Sequence, residues 1–239
     1  MIYHIDKTTS TNDDARGAQY HEGDIIWAEH QTKGRGQRGH TWTSPEGQNL
    51  TFSLVLEPQF LPVPDQFMLL EIIALALCDT LLEFEIGTRI KWTNDIYWRD
   101  RKLVGILIEH NYAGAMLQRT IVGIGINVNQ QEFDPELPNP VSMRQITGRE
   151  FDRGDVLRGF HKAMMARYEQ LRRGEYTAIQ ADYRKRMYRL EEMHPFRELP
   201  SCDVIRAAIQ GVRPTGELIL KREDGSMKDY LFRQVEFII

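Results

Sequence analysis

Cysteine is nearly absent: two occur in 239 residues, Cys78 inside an apolar stretch and Cys202 in a polar one. Two thiols without ligand spacing exclude a disulfide framework and a cysteine-based metal centre, and they suit a reduced, cytoplasmic setting. Excess basic charge is missing too. With 30 Lys and Arg against 34 Asp and Glu the formal net charge is -4, so the chain has no overall pull toward phosphate backbones or anionic lipid. Any anion site must be built locally. Long apolar runs are lacking as well: nothing reaches the roughly 18 uninterrupted apolar residues of a spanning helix, and the start has no basic-then-apolar leader pattern. A soluble, unexported chain with no membrane partner is expected.

What is present is ordinary globular composition, 41% hydrophobic and 27% charged, enough for one large domain with at most a small appendage. Residues 2–5 alternate like a short strand, and Ser10 with Asp13 at capping-box spacing predicts a helix running to about His21. Ile25 to Gln31 reads as a strand. Thr32 to Gln48 is rich in Gly and polar residues without periodicity, a long loop of the functional or disordered kind. Asn49 to Glu57 is β-rich, and Val63 to Glu85 carries Phe67, Leu70, Ile73, Ala74, Leu77 and Leu81 at the spacing of a buried helix. Arg89 to Trp98, Leu103 to His110 and Leu117 to Val128 read as further strands of a mainly antiparallel sheet. Two amphipathic helices follow, Asp155 to Arg172 and Tyr176 to about Tyr188. Beyond Met193 short strands at Val204–Val212, Glu217–Lys221 and Lys228–Phe232, separated by Gly-containing turns, predict a small β-barrel.

Four segments carry chemistry. Gly34-Arg35-Gly36-Gln37-Arg38-Gly39 offers main-chain N–H groups and guanidinium forks to a phosphate or carboxylate, although an empty surface loop reads equally well. Trp42 adds a flat face for stacking, or a core side chain. Lys91-Trp92-Thr93-Asn94-Asp95 ends one strand and Lys102 opens the next, so hairpin pairing brings Asp95 and Lys102 together; a solvated strand end is the bland alternative for Lys102. In Gly123-Ile124-Gly125-Ile126-Asn127 the glycines admit close approach of a ligand or another backbone, or mark a bulge.

Taken in order, Ser10-Thr11-Asn12, Glu29-His30-Gln31, the Gly34-to-Trp42 loop, Lys91-to-Asp95, Lys102-Leu-Val-Gly-Ile-Leu-Ile-Glu109 and Gly123-to-Asn127 resemble the blocks of biotin–protein ligases over nearly the whole chain. The resemblance implies an α+β fold: a mixed, largely antiparallel, class II synthetase-like catalytic domain over residues 1–188 and an SH3-like barrel over 189–239. It implies ATP-dependent formation of biotinyl-adenylate and transfer of biotin to a lysine of a biotin carboxyl carrier protein, with Mg2+ accompanying ATP and no metal site of the protein's own. By position, Ser10, Thr11, Asn12, Gln31, Gly34, Arg35, Gly36, Gln37, Lys102 and Gly105 fall to biotin. Arg38, Trp42, Lys91, Asn94 and Asn127 fall to the nucleotide, and Lys102, Arg35 and Asp95 to catalysis. Homodimers occur in such a family, and its sheet edges leave that possibility open here.

Two positions depart from the family pattern. Gln37 stands where arginine is common, removing a positive charge from the loop, and Thr93 replaces the usual proline. About nine residues precede Ser10, too few for a helix-turn-helix domain, so DNA binding and repression are not expected. Two rivals stand beside this reading: a lipoate-type ligase, whose Arg-rich triple-glycine motif is absent, and an inactive biotin-binding module.

Overall fold

The computed structural model describes residues 1–39 and 41–239, with the Arg38 side chain left out. In chain order the elements are β1 (Ile2–Thr8), α1 (Thr11–Asp14), β2 (Ile25–Gln31), β3 (Leu50–Leu56), α2 (Phe67–Glu83), β4 (Arg89–Lys91), β5 (Asp95–Trp98), β6 (Arg101–Ala113) and β7 (Met116–Ile126). Then come α3 (Met143–Thr147), α4 (Arg153–Arg172), α5 (Tyr176–Lys185), β8 (Met193–Glu198), β9 (Val204–Val212), β10 (Leu218–Arg222), β11 (Met227–Tyr230) and β12 (Val235–Phe237). Seven strands form one sheet in the order β1-β2-β3-β7-β6-β5-β4. Only β1 and β2 run parallel there; the remaining neighbours are antiparallel. The expected α+β class with a largely antiparallel sheet holds.

Strand alternation gives this sheet two unlike faces. Leu50, Phe52, Leu54, Val104, Ile106, Val122, Ile124 and Ile126 are all in the buried core. That core is shared with α2, which is buried nearly all round from Met68 to Leu81 and packs against α4 and α5. A helix apolar on every side has to sit inside. Its buried carboxyl is Glu71, 1% exposed, pushed up to about 8 by burial. On the opposite face, Ser53 faces Gly123 and Gly123 faces Leu107, while Thr51 faces Gly125 and Gly125 faces Gly105. These two cross-strand rows, with glycines at their centres, form a shallow floor.

Several expectations need correcting. The helix predicted to reach His21 stops at Asp14, because Arg119 on β7 takes the carbonyls of Ala15, Gly17 and Tyr20 with its Nη2 at 3.1, 3.2 and 2.9 Å. Helix carbonyls all point along the axis and could not converge on one guanidinium nitrogen. Ser10 is extended and makes no side-chain cap; the capping box that does form joins Ser142 and Gln145 at the start of α3, which the hydrophobic pattern did not reveal. The single strand expected over Arg89–Trp98 is two strands, β4 and β5, paired as a hairpin around Trp92-Thr93-Asn94. Asn94 holds that turn by donating from Nδ2 to the Ile106 carbonyl at 2.7 Å.

The C-terminal strands form a five-stranded sheet in the order β11-β10-β9-β8-β12. The expected barrel is not closed, since β11 and β12 are its two edges and do not pair with each other. Strands β8 and β12 went unpredicted because they are short and half exposed. This sheet leans on the first through Trp92, whose Nε1 donates to the Gly216 carbonyl at 2.9 Å and whose ring meets Phe232 edge-on at 6.1 Å. Among the described residues no helix is long and apolar enough to cross a membrane.

Candidate active site

A cavity of about 340 Å3 opens over the glycine floor. Its walls come from four places in the sequence: Ser10 to Asn12 at the start of α1, Gln31 to Trp42, the β4–β5 hairpin with Lys102, and Phe232 from the second sheet.

The loop after β2 is pinned at its start by Thr32 and Lys33, whose N–H groups each donate at 2.9 Å, to the Thr8 and Thr9 carbonyls. It closes where the Trp42 N–H donates to the Gly34 carbonyl at 3.0 Å. That closure needs glycine at 34, since a Cβ there would lie 2.2 Å from the Trp42 carbonyl oxygen. It also throws the Trp42 indole onto the floor. A Cβ at Gly125 would sit 2.1 Å from Trp42 Cε2, and one at Gly105 would sit 2.8 Å from Trp42 Cζ3. The sequence allowed close approach at Gly123 and Gly125; at Gly125 the approaching group is this ring, and at Gly123 it is the Asn12 amide. The Trp42 Nε1–H is buried without a partner, a donor that a ligand oxygen would satisfy.

Lys102 is held by its own backbone, donating to Asn139 at 2.7 Å and accepting from Val141 at 2.9 Å. Its Nζ lies 2.7 Å from Asp95 Oδ1 and 5.8 Å from the Trp42 ring centre. The contact with Asp95 is not aligned as a hydrogen bond, so charge attraction rather than a directed bond holds the pair. Side-chain exposures of 33% for Lys102 and 15% for Asp95 put it at the cavity wall, not in bulk solvent. Hairpin pairing therefore does bring the two together. Lys91 lies deeper, with Nζ 4.7 Å from the Phe237 ring and 5.2 Å from that of Tyr97. Burial holds its ammonium below the usual lysine range, against the pull of Asp95.

At the other end Thr11 donates to Gln31 Oε1 from its backbone N at 2.8 Å and from Oγ1 at 3.1 Å. Arg35 lines the cavity, but its Nη2 is engaged by Asp13 Oδ1 at 2.8 Å and Glu109 Oε2 at 3.4 Å. The remaining N–H groups of its guanidinium, on Nε and Nη1, can still meet an anion. Of the residues singled out from sequence, Ser10, Thr11, Asn12, Gln31, Arg35, Gly36, Gln37, Trp42, Lys91, Asn94, Asp95, Lys102 and Gly105 line this one cavity. Gly34 shapes the loop behind it. Asn127 lies apart from the lining, with its Nδ2 donating to the Val141 carbonyl at 3.1 Å. The Arg38 side chain falls outside the described residues. Sequence reading missed Ser53 and Glu109, which hold Asn12 behind the lining, and Phe232, which lines it from the turn between β11 and β12: the first two look like an ordinary strand serine and carboxylate, and Phe232 lies far along the chain.

The arrangement places cations at Lys102 and Arg35, an unpaired ring N–H and several hydroxyl and amide groups around a water-accessible slot. It suits an elongated ligand with a polar head and an anionic tail. Residues 1–127 match the Biotin/lipoate A/B protein ligase family. The chain is 31% identical over 236 residues to the Bifunctional ligase/repressor BirA of Bacillus subtilis, covering 96% of this chain and 72% of that protein. It is also 31% identical to the Biotin--[acetyl-CoA-carboxylase] ligase of Paracoccus denitrificans, covering 92% of this chain and 93% of the relative. The structure of a biotin protein ligase from Aquifex aeolicus in complex with biotin and ATP superposes with a TM-score of 0.83 at 27% identity, covering 99% of this chain and 98% of that one.

Proposed function

We infer, from the premise that this chain belongs to the biotin/lipoate A/B protein ligase family, that it is a biotin–protein ligase. It uses biotin and ATP to form biotinyl-5'-adenylate and transfers the biotin to a lysine of a carboxyl carrier protein. The observation that carries this reading is the single cavity lined by the Ser10–Asn12 hydrogen-bonding end and by Lys102 with Asp95.

In the first half-reaction a biotin carboxylate oxygen attacks the α-phosphorus of ATP and pyrophosphate leaves. Two anions must meet, and Lys102, on a rigid strand at the cavity wall, supplies fixed positive charge where negative charge accumulates. Arg35 adds a second cation through the N–H groups that Asp13 and Glu109 leave open. In the second half-reaction the carrier lysine amine attacks the acyl carbon, the C–O bond to AMP breaks, and the amine loses a proton. Asp95 orients that incoming ammonium, and Lys102 stabilises the acyl oxygen as it becomes negative. Ser10, Thr11, Asn12 and Gln31 hold the ureido end of biotin, with Trp42 and Lys91 toward the nucleotide. Asn94 and Asn127 act on the nucleotide through the backbone they brace.

Magnesium enters with ATP as part of the substrate. The described residues contain no group of three metal-ligating side chains, and Asp95, the carboxylate lining the cavity, is engaged by Lys102; a resident metal does not fit this donor set. We divide the chain at residue 188, reading the open C-terminal sheet as an SH3-like unit that completes the pocket with Phe232. Operator binding is not proposed, given the net charge of -4.

Calorimetry with biotin, lipoate and octanoate, each with and without ATP, tests the assignment. Biotin should bind alone and release pyrophosphate on adding ATP. Equal binding of lipoate or octanoate would overturn it.

A further inference from the structure

Asn12 lines the cavity over Gly123. Its amide is held at both ends: Nδ2 donates to Glu109 Oε2 at 2.9 Å, and Oδ1 accepts from the Ser53 hydroxyl at 2.5 Å. Which way round an asparagine sits is a matter of its partners' chemistry. Ser53 does not decide it, because a hydroxyl both donates and accepts. Were Asn12 reversed, Ser53 would accept from its nitrogen and turn its proton to Thr11 Oγ1, 2.7 Å away, and Thr11 would still donate to Gln31 Oε1. That inverted chain is fully satisfied. Glu109 alone forbids it, since a carboxylate only accepts.

Glu109 is itself fixed. Arg16 Nη2 donates to its Oε1 at 3.1 Å, and Arg35 Nη2 reaches Oε2 at 3.4 Å, so both oxygens face donors. With Asn12 Oδ1 taken by the buried Ser53, the amide nitrogen keeps a second N–H beyond the one given to Glu109, on a residue that lines the cavity. We propose that Glu109 is a positioning residue that sets the polarity of the Asn12 amide, so that the pocket presents an N–H there and selects a ligand with an acceptor oxygen at its polar head. This rests on the biotin reading above, where the acceptor is the ureido oxygen.

The test compares biotin with 2-thiobiotin, an equally neutral analogue in which that oxygen is replaced by sulfur, a poorer hydrogen-bond acceptor. Affinities for both are measured by calorimetry on the unmodified protein, Glu109→Gln and Ser53→Ala. In Glu109→Gln the stronger Arg16 contact draws the new amide oxygen, leaving its NH2 toward Asn12 and allowing the reversed orientation. The preference for biotin over the thio analogue should fall about tenfold, the scale of one well-placed hydrogen bond gained or lost. Ser53→Ala should weaken both ligands and keep the preference, because Glu109 remains. Using the ratio removes any general effect of freeing Arg35, which acts on both ligands alike. In pyrophosphate exchange, Glu109→Gln should raise the KM for biotin and leave kcat within about twofold, a split that a general loss of folding would not give. An unchanged preference in Glu109→Gln, or an equal loss in Ser53→Ala, would overturn the proposal while leaving the ligase reading intact. Failure of the unmodified protein to bind biotin would overturn both.

Discussion

The two faces of the seven-stranded sheet are built by opposite rules. Behind it, Leu50, Phe52, Leu54, Ile124 and Ile126 meet a helix layer in which almost every position of α2 is apolar. In front, at the cavity, glycines alternate with Thr51 and Ser53 under one indole ring and a set of hydrogen-bonded polar side chains, and only beyond it do Ile26, Val55 and Ile121 form a small apolar cluster with Ala15 and Tyr20. The strands are shared, so the difference lies in the alternate residues alone. Changes behind the sheet should act on stability with little effect on rate, and changes in front should do the reverse.

The largest expected effect is in front. Lys102→Ala should lower biotin-dependent pyrophosphate exchange by about 10²–10³, roughly 2.7–4 kcal/mol, as for loss of one preorganised electrostatic donor. Thermal unfolding should hardly move, because Lys102 is held through its backbone and its ion pair is partly exposed. A change below twofold would return Lys102 to a solvated strand end.

Behind the sheet the sharpest case is Glu71. Its carboxyl is pushed from 4.5 to about 8 by burial, so between those values the folded chain keeps a proton that the unfolded chain releases. Stability therefore falls as pH rises through this window, and the full cost is present above about pH 8. Glu71→Gln should remove that slope: it should unfold at about the same temperature as the parent near pH 4 and be more stable near pH 9, by on the order of a few kcal/mol. Parallel stability curves for the two proteins would contradict the buried, neutral carboxyl. Exchange activity at pH 7 should be little altered.

Smaller effects sharpen the front face. Gly125→Ala puts a Cβ where Trp42 Cε2 now lies, so the ring and its loop must shift, weakening biotin binding by about 1–3 kcal/mol. If calorimetry shows parental affinity, the Trp42 contact is incidental. Gln37→Arg restores a cation to the loop, and we expect slower escape of biotinyl-adenylate, by about 1 kcal/mol or less given the partly exposed setting. Chase experiments with unlabelled adenylate measure it, and an unchanged rate would show that the charge at 37 is not used.

The same contrast explains what the sequence disclosed. Period-2 alternation in β3 and β7 and the apolar run of α2 are local patterns, and the elements form where those patterns lie. The hairpin contact of Asp95 with Lys102 was legible for the same reason, seven residues being a short turn's reach. Contacts across the front face were not. Asn12 meets Ser53 across 41 residues and Glu109 across 97, and nothing in the spelling of either partner signals it. The truncation of α1 has a similar origin, since Arg119 acts on Ala15 from 104 residues away. Trp42 was visible as a flat ring, whereas its seat on Gly105 and Gly125 depends on how the loop closes at Gly34.

The claim that the front face carries out both half-reactions is tested most directly by the intact mass of a biotin carboxyl carrier domain incubated with this protein, biotin and ATP. One biotin should be added to its acceptor lysine only when both substrates are present, and the Lys102→Ala protein should add it far more slowly. No mass gain with the unmodified protein, or an equal gain with lipoate in place of biotin, would contradict the account.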